Sequence, residues 1–191
     1  MNNFELPLDW KQKATYLTKG GRRNIYILDN YVIKENYSTK TRHKKKDNLE
    51  IEFYNQIIQK ISPQFHENFC KIYYKKDNIT VQELIKNYDN TISKNFEQIQ
   101  NPKIKIDVLN QFERLIEKLI EQEIFFFDII PKNIIVKEIS KNKFIPIIFD
   151  YKNINRTYAL QPSTYTKTGK INKIIKRLNK LRLENSYKNY I

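Results

Sequence analysis

The chain is poor in the residues that give small proteins special chemistry. One cysteine, Cys70, stands among 191 residues, which excludes an intramolecular disulfide. With only His43 and His66 to help that thiol, a zinc cluster of four nitrogen and sulfur ligands is excluded as well. So few thiols fit a reducing compartment. Glycine is also scarce: there are three, two of them adjacent at Gly20 and Gly21, and the usual phosphate-loop pattern G-x-G-x-x-G is absent. No apolar run approaches the roughly 20 residues that a membrane-spanning helix needs. The opening MNNFELPLDWKQ carries acidic residues and no apolar core, unlike a secretory signal. These absences lead to the expectation of a soluble, cytoplasmic protein.

What is present supports a folded core. At 40% hydrophobic and 13% aromatic residues the chain can bury enough surface to fold, as one domain or two small lobes. Lysine and arginine number 35 against 21 acidic residues, a net charge of +14. Such an excess suits an anionic partner such as nucleic acid, a phosphorylated substrate or a membrane surface. The basic residues are spread along the chain rather than blocked, however, which equally suits solvated lysines in a composition rich in Lys, Asn and Ile.

One stretch organises the rest, FFDIIPKNIIVKEISKNKFIPIIFD at residues 126–150. Asp128 is followed five residues on by Asn133, across the turn-forming Pro131. An apolar strand then covers residues 134–136, a turn lies around residues 140–142, and a second apolar strand covers 144–149 and ends on Asp150. Three short polar side chains thus rim two buried strands. Two carboxylates and an amide at one edge form a hard, oxygen-rich site suited to Mg²⁺. Each residue also has a plainer reading: a turn former at Asp128, a loop cap at Asn133, a strand terminator at Asp150.

The pattern resembles the catalytic and metal-binding segments of protein-kinase-like enzymes, in which Asp-x-x-x-x-Asn precedes an apolar strand pair ending in Asp. Within that superfamily the chain resembles the YrbL family of PhoP regulatory network proteins, through IPKNIIV, the following IPIIFD and the earlier ELIKNYDNTISKNF. The resemblance covers most of residues 20–155. It implies an α+β fold: a five-stranded antiparallel small lobe with one helix, then a truncated, mainly helical second lobe. It also implies ATP and Mg²⁺ as ligands, with Asp150 and Asn133 binding metal and Asp128 orienting an acceptor hydroxyl and taking its proton.

Taken in order, residues 1–13 form a leader in which Trp10 can tuck against the domain. Residues 14–18, 25–28 and 31–35 read as strands, with Gly20 and Gly21 between the first two and a tight turn at Asp29-Asn30. In kinases a glycine loop there covers the phosphates and a lysine on the third strand grips them. Gly20, Gly21 and Lys34 stand at those places, though a hairpin turn and a surface lysine fit too. Residues 36–47 read as a basic, flexible loop. Residues 48–61 read as a helix capped by Asp47 or Asn48, with Ile51, Tyr54, Ile57, Ile58 and Ile61 on one face. Glu50 falls within that apolar arc and Glu52 opposite it. A glutamate facing inward needs a partner, and Lys34 is the natural one; the alternative is a first-turn glutamate facing the helix dipole. Residues 70–74 and 79–85 complete the sheet, and Glu83 and Ile85 fall where a kinase hinge offers backbone groups to adenine. NYDNTIS at 87–93 follows, with a helix cap at Asp89 or Thr91 as its plainest explanation. Residues 104–122 form the clearest helix, striped by Leu109, Phe112, Leu115, Ile116, Leu119 and Ile120.

Departures from the kinase pattern matter as much. Phe126 and Phe127 replace the usual His-Arg before the catalytic Asp, so control by a phosphorylated activation loop is not expected. Ile130 stands where many kinases carry a phosphate-steadying lysine, with Lys132 as a candidate substitute. Tyr151-Lys152 follows Asp150 in place of Phe-Gly. Only 41 residues, 151–191, follow Asp150, too few for a full large lobe. Residues 161–169 read as polar loop. A final helix has Ile171, Ile174, Ile175, Leu178 and Leu181 on one face and Lys173, Lys176, Arg177, Lys180 and Arg182 on the other. That basic face is a candidate for an anionic surface, or is simply solvated. The chain reads as a single kinase-like domain: a small lobe over about 14–86, a reduced second lobe over about 87–160, and a basic tail over 161–191. The function implied is phosphate transfer from ATP to a hydroxyl substrate. The rivals are an inactive, nucleotide-sensing regulatory module with a protein partner, and a basic nucleic-acid binder.

Overall fold

The computed structural model describes residues 5–38, 41–151, 154 and 166–186, with the side chains of 41–48 and 184–186 outside the description. Where apolar and polar residues alternate between short polar turns, strands form. β1 (Thr15–Lys19), β2 (Arg23–Leu28), β3 (Tyr31–Asn36), β4 (Ile72–Lys76) and β5 (Ile79–Glu83) make one antiparallel sheet in the order β1-β2-β3-β5-β4. Two-residue turns close β2 on β3 and β4 on β5, since Leu28 pairs with Tyr31 and Lys76 with Ile79. Each turn opens on an aspartate in the left-handed region, Asp29 at φ 54° and Asp77 at φ 49°. Asp and Asn tolerate that region better than most side chains. The single turn α1 (Trp10–Lys13) lies over the sheet, where Trp10 is buried with Leu28, Ile33 and Val81 and meets the Tyr26 ring edge-on at 5.2 Å.

The helix after β3 is longer than its apolar stripe. The sequence reading leaves 36–47 as loop and caps the helix at Asp47 or Asn48; the structure starts α2 (Thr41–Lys60) at Thr41, so both residues lie inside it. No glycine or proline interrupts 41–60, and Arg, Lys, Glu and Gln lose little rotamer freedom in a helix, so propensity extends it without an apolar face. Ile57 and Ile61 reach the main core from its end.

The second lobe is built on α3 (Pro102–Glu121), capped by Asn101, whose side chain accepts from the Lys103 amide, with Pro102 in the first turn. Its stripe of Val108, Leu109, Phe112, Leu115, Ile116 and Leu119 is buried against β8 (Lys143–Ile148) and the phenylalanines 125–127. β6 (Lys94–Asn95), β7 (Ile134–Ser140) and β8 form a second antiparallel sheet in that order, with Asn142 at φ 61° in the β7–β8 turn. α4 (Lys167–Ser186) packs on α3 and buries Ile174 and Leu181. It departs from the sequence reading in three ways. It begins before Gly169, inside the segment read as loop, whose residues 161–165 lie outside the description. Ile175 is 47% exposed instead of joining the stripe. Lys173 does not face water with the others: its ammonium lies over Phe127, Lys170 lies over Phe125, and Arg182 Nε donates to Glu113 at 3.0 Å. The flexible stems of these cations cover apolar surface while their charges find rings or carboxylates.

The two sheets are stitched together by the segment before β4. Asn68 Nδ2 donates to the Pro146 carbonyl at 2.8 Å, and the Cys70 amide donates to the Ile148 carbonyl at 2.9 Å. Tyr151, fully buried and beside Tyr54, places its hydroxyl 2.7 Å from the Cys70 carbonyl and 2.9 Å from the Ile148 carbonyl. Burial pushes the acidity constant of this hydroxyl well above its ordinary value, so it stays a neutral donor. Tyr151→Phe removes that donor while keeping the ring. It is expected to cost about 1–2 kcal/mol, read as a lower urea midpoint at unchanged m-value.

Candidate active site

Strand alternation puts Val32 and Lys34 on one face of β3 and Tyr31 and Ile33 on the other. Lys34 is 6% exposed, and its Nζ lies 3.6 Å from Glu50 Oε1 and 5.4 Å from the centre of the Phe149 ring. Glu50 has 0% exposure, whereas Glu52 on the other side of α2 faces water. The second Glu50 oxygen, Oε2, accepts from Arg23 Nη2 at 2.6 Å, and Gln82 Nε2 donates to Oε1 at 3.4 Å. A buried carboxylate is costly unless cations and donors surround it, and here two cations and an amide do. The bond to Arg23 is short and charge-assisted; the approach of Lys34 is an ion pair beyond hydrogen-bond length.

The glycine turn sits between β1 and β2. The Gly20 amide donates to the Arg23 carbonyl at 2.8 Å, and the Tyr37 hydroxyl donates to the Gly20 carbonyl at 3.1 Å. Neither glycine has positive φ, and a Cβ on Gly21 would meet nothing within 4 Å. Chain folding therefore does not demand glycine at 21; what the missing side chain leaves is open access to the backbone. Gly21→Ala should leave stability intact or raise it by about 0.4–1 kcal/mol through the unfolded chain, which a thermal melt without ligand will show.

Phe126 and Phe127, at 1% and 0% exposure, anchor the next segment in the core, and half-buried Asp128 emerges from it. A 3₁₀ turn, Pro131–Asn133, leads into β7. The Asp128 carbonyl accepts from the Ile130 amide at 3.0 Å and from Asn133 Nδ2 at 3.4 Å. With its nitrogen turned to that carbonyl, Asn133 has its side-chain oxygen as the end that can meet a cation. Ile134 pairs with Ile148, so Asn133 and Asp150 flank the same end of the β7–β8 hairpin. Phe149, next to Asp150, is the residue under the Lys34 ammonium. Lys132 instead faces Glu97 at 3.8 Å with both side chains exposed, a pair of little energetic weight. Among the described residues, no group of three or more His, Cys, Asp or Glu is placed to hold a metal alone. Two carboxylates and an amide still fit Mg²⁺, which keeps several waters and takes phosphate oxygens as further ligands.

Beyond β5 the backbone is partly committed. The Leu84 amide donates to the Asn30 carbonyl at 2.9 Å, the Glu83 amide to the Lys71 carbonyl at 2.9 Å, and the Ile85 carbonyl accepts from Ser93 at 3.0 Å. Residues 87–93 are not a helix cap. Asn87 Oδ1 accepts from the Glu138 amide at 2.9 Å and the Ser93 hydroxyl at 2.8 Å, and the Tyr88 amide donates to the Glu138 carbonyl at 2.8 Å. Asp89 accepts from the Thr91 hydroxyl at 2.6 Å and amide at 3.0 Å, bonds that hold its carboxyl below its ordinary acidity constant. The stretch is thus a turn that bolts the chain after β5 onto β7. A recess of about 600 Å³, lined by Tyr31, Tyr73, Glu83, Lys86 and Lys137 among others, opens here. By strand alternation Tyr31 puts it on the face opposite Lys34.

Cys70 packs with Ile85, Ile145 and Ile147, next to half-buried Phe149. Burial pushes its thiol up to about 12, with the nearby Lys34 charge acting in the opposite direction. It is therefore a neutral, inert packing group rather than a nucleophile. The folded chain should resist alkylation at pH 8 and react once unfolded, read by mass spectrometry. The folded state holds this proton more tightly than the unfolded one. The stability it contributes is full below the ordinary value of 9.0 and is lost as the pH rises towards about 12.

Arg23, Gln82 and Phe149 are the residues the sequence reading misses. Counted from Gly21, Arg23 occupies the place where the kinase signature G-x-G-x-x-G-x-V has an apolar residue; that mismatch is the one sequence signal for it. Gln82 and Phe149 carry none, because their partners are distant in sequence.

No protein-family model matches the chain, and no curated protein matches it. Solved structures do. The Rio2 kinase–ADP/Mg²⁺–phosphoaspartate complex from Chaetomium thermophilum is similar, with TM-score 0.59 and 14% identity over 87% of this chain and 55% of that one. Another structure of Rio2 kinase from the same organism gives TM-score 0.57 and 13% identity over 87% of this chain and 56% of that one. The chain has a protein-kinase-like fold, and it spans about half the length of these kinases. Among the described residues, no helix is long and apolar enough to cross a membrane.

Proposed function

We propose that the chain is an ATP- and Mg²⁺-dependent phosphotransferase of the YrbL type that acts on a hydroxyl acceptor. The observation that carries this reading is the buried Lys34–Glu50 pair, whose ammonium lies over Phe149, directly beside Asp150 at the hairpin end that also bears Asn133. The cleft then lies between a small lobe over about 14–86 and a reduced second lobe over about 87–160. Lys34 holds the phosphates, and Glu50 holds Lys34. The backbone around Gly20 and Gly21 covers the phosphates, while backbone groups of Glu83 and Ile85 meet the base. Asp150 and Asn133 hold Mg²⁺, which when bound spreads the charge that develops on the transferred group. Asp128 orients the acceptor hydroxyl and accepts its proton as the oxygen bonds to the γ-phosphorus and the bond to ADP breaks.

A second reading, nucleotide binding without transfer, is favoured by one observation. Ile130 is 47% exposed at the place where many kinases present a lysine to the transferred phosphate. Thermal melts with ATP and Mg²⁺ test the shared part of both readings. At about 100 times the dissociation constant, a ligand adds roughly 2.7 kcal/mol, so the midpoint should rise. Asp150→Ala should abolish the Mg²⁺-dependent rise, and Gly21→Ala should reduce it. Transfer of labelled phosphate from ATP to a candidate acceptor, lost in Asp128→Asn, supports the enzyme. A nucleotide shift without any transfer supports the binding module, and no shift sinks both.

A further inference from the structure

Arg23 stands out among the buried charges. It is 5% exposed, begins β2 two residues after Gly21, and donates to Glu50 across 27 positions of sequence at 2.6 Å. Its backbone is engaged as well, because its carbonyl accepts from the Gly20 amide at 2.8 Å. One residue therefore joins the glycine turn, through its main chain, to α2, through its side chain. The carboxylate it holds is the one facing Lys34, and it divides its oxygens: Oε2 to Arg23, Oε1 towards Lys34 at 3.6 Å and Gln82 at 3.4 Å. The short, charge-assisted bond from Arg23 Nη2 fixes the direction of this carboxylate more firmly than the longer approach of the Lys34 ammonium does.

We infer that Arg23 is a positioning residue that keeps Glu50 turned inward, so that the Lys34 pair is assembled before nucleotide arrives. In protein kinases the corresponding pair is made and broken by movement of its helix, under control of a phosphorylated loop. Here the sheet itself holds the glutamate. A cleft assembled by the sheet has no need of such a loop, which accords with Phe126 and Phe127 in place of His-Arg. Arg23 also ties the turn that covers the phosphates to the helix that orients the lysine. This inference rests on the nucleotide-binding reading above.

The test compares wild type, Arg23→Met, Arg23→Lys, Glu50→Gln and the Arg23→Met/Glu50→Gln double variant. Each is first checked for a cooperative melt, and the dissociation constant for ATP with Mg²⁺ is then measured. Arg23→Met should weaken binding at least tenfold and shrink the nucleotide-induced rise in midpoint. Arg23→Lys, which keeps the charge but not the planar guanidinium that makes the short bond, should recover only part of the affinity and serves if Arg23→Met does not fold. In the Glu50→Gln background, Arg23→Met should add little, because its effect passes through that carboxylate. Nucleotide affinity unchanged in Arg23→Met and Arg23→Lys, or a full additive loss in the double variant, overturns the role of Arg23 while leaving the nucleotide site standing. An arginine that only stabilises the fold would lower the midpoint with and without ATP equally and leave the rise intact. Wild type that binds no nucleotide overturns the functional reading itself and the inference with it.

Discussion

A carboxylate with no access to water constrains the whole small lobe. Glu50 must be surrounded by cations and donors, and they arrive from three different strands: Arg23 from β2, Lys34 from β3 and Gln82 from β5. Each must therefore start at the right register: the two-residue turn at Asp29 sets β2 on β3, and the β3–β5 ladder, which pairs Val32 with Gln82, sets β5. Taking one partner away from a buried ion cluster costs several kcal/mol, because the charge that remains is stranded. The sheet order, the helix placed against it and the polar cluster inside form one mutually dependent solution.

The second lobe depends on ordinary packing. Its core runs from the end of α2 through α3 and the phenylalanines 125–127 to α4, almost entirely of Ile, Leu and Phe. Polar bonds carry the joint between lobes, through Asn68, Cys70 and Tyr151. Apolar residues cross the joint as well, since Ile57 and Ile61 share the core of α3 and Cys70 and Ile85 pack on Ile145 and Ile147; the directed hydrogen bonds add the angle at which the lobes meet. That division of labour suits a cleft, where a small error in angle matters more than a small loss in cohesion.

Much of this architecture was legible because periodicity reports burial. The strands around the turns at Asp29-Asn30 and Asp77-Asn78, and the stripe of α3, follow from alternation and from three-to-four spacing. The first two turns of α2 were not legible, because residues 41–46 carry no apolar residue and so offer no period to read. α4 misled for a related reason: a lysine and an isoleucine can exchange places when the lysine stem lies on a phenylalanine ring. At the candidate site, residue types at the rims of strands drew attention to Asp128, Asn133 and Asp150, and helical phase drew attention to Glu50. Arg23 stayed hidden because its pairing spans 27 positions, a relation that no local pattern encodes.

The bolt formed by Asn87 and Tyr88 on Glu138 has a metric consequence. It fastens the chain leaving β5 to one end of β7, and Asn133 lies just before the other end. Five residue steps lead from Asn133 to Glu138, roughly 17 Å at about 3.3 Å per step of extended strand. A strand paired on both sides over part of its length neither stretches nor slides. β7 therefore acts as a ruler, setting a fixed distance between the turn after β5 and the turn that carries Asn133.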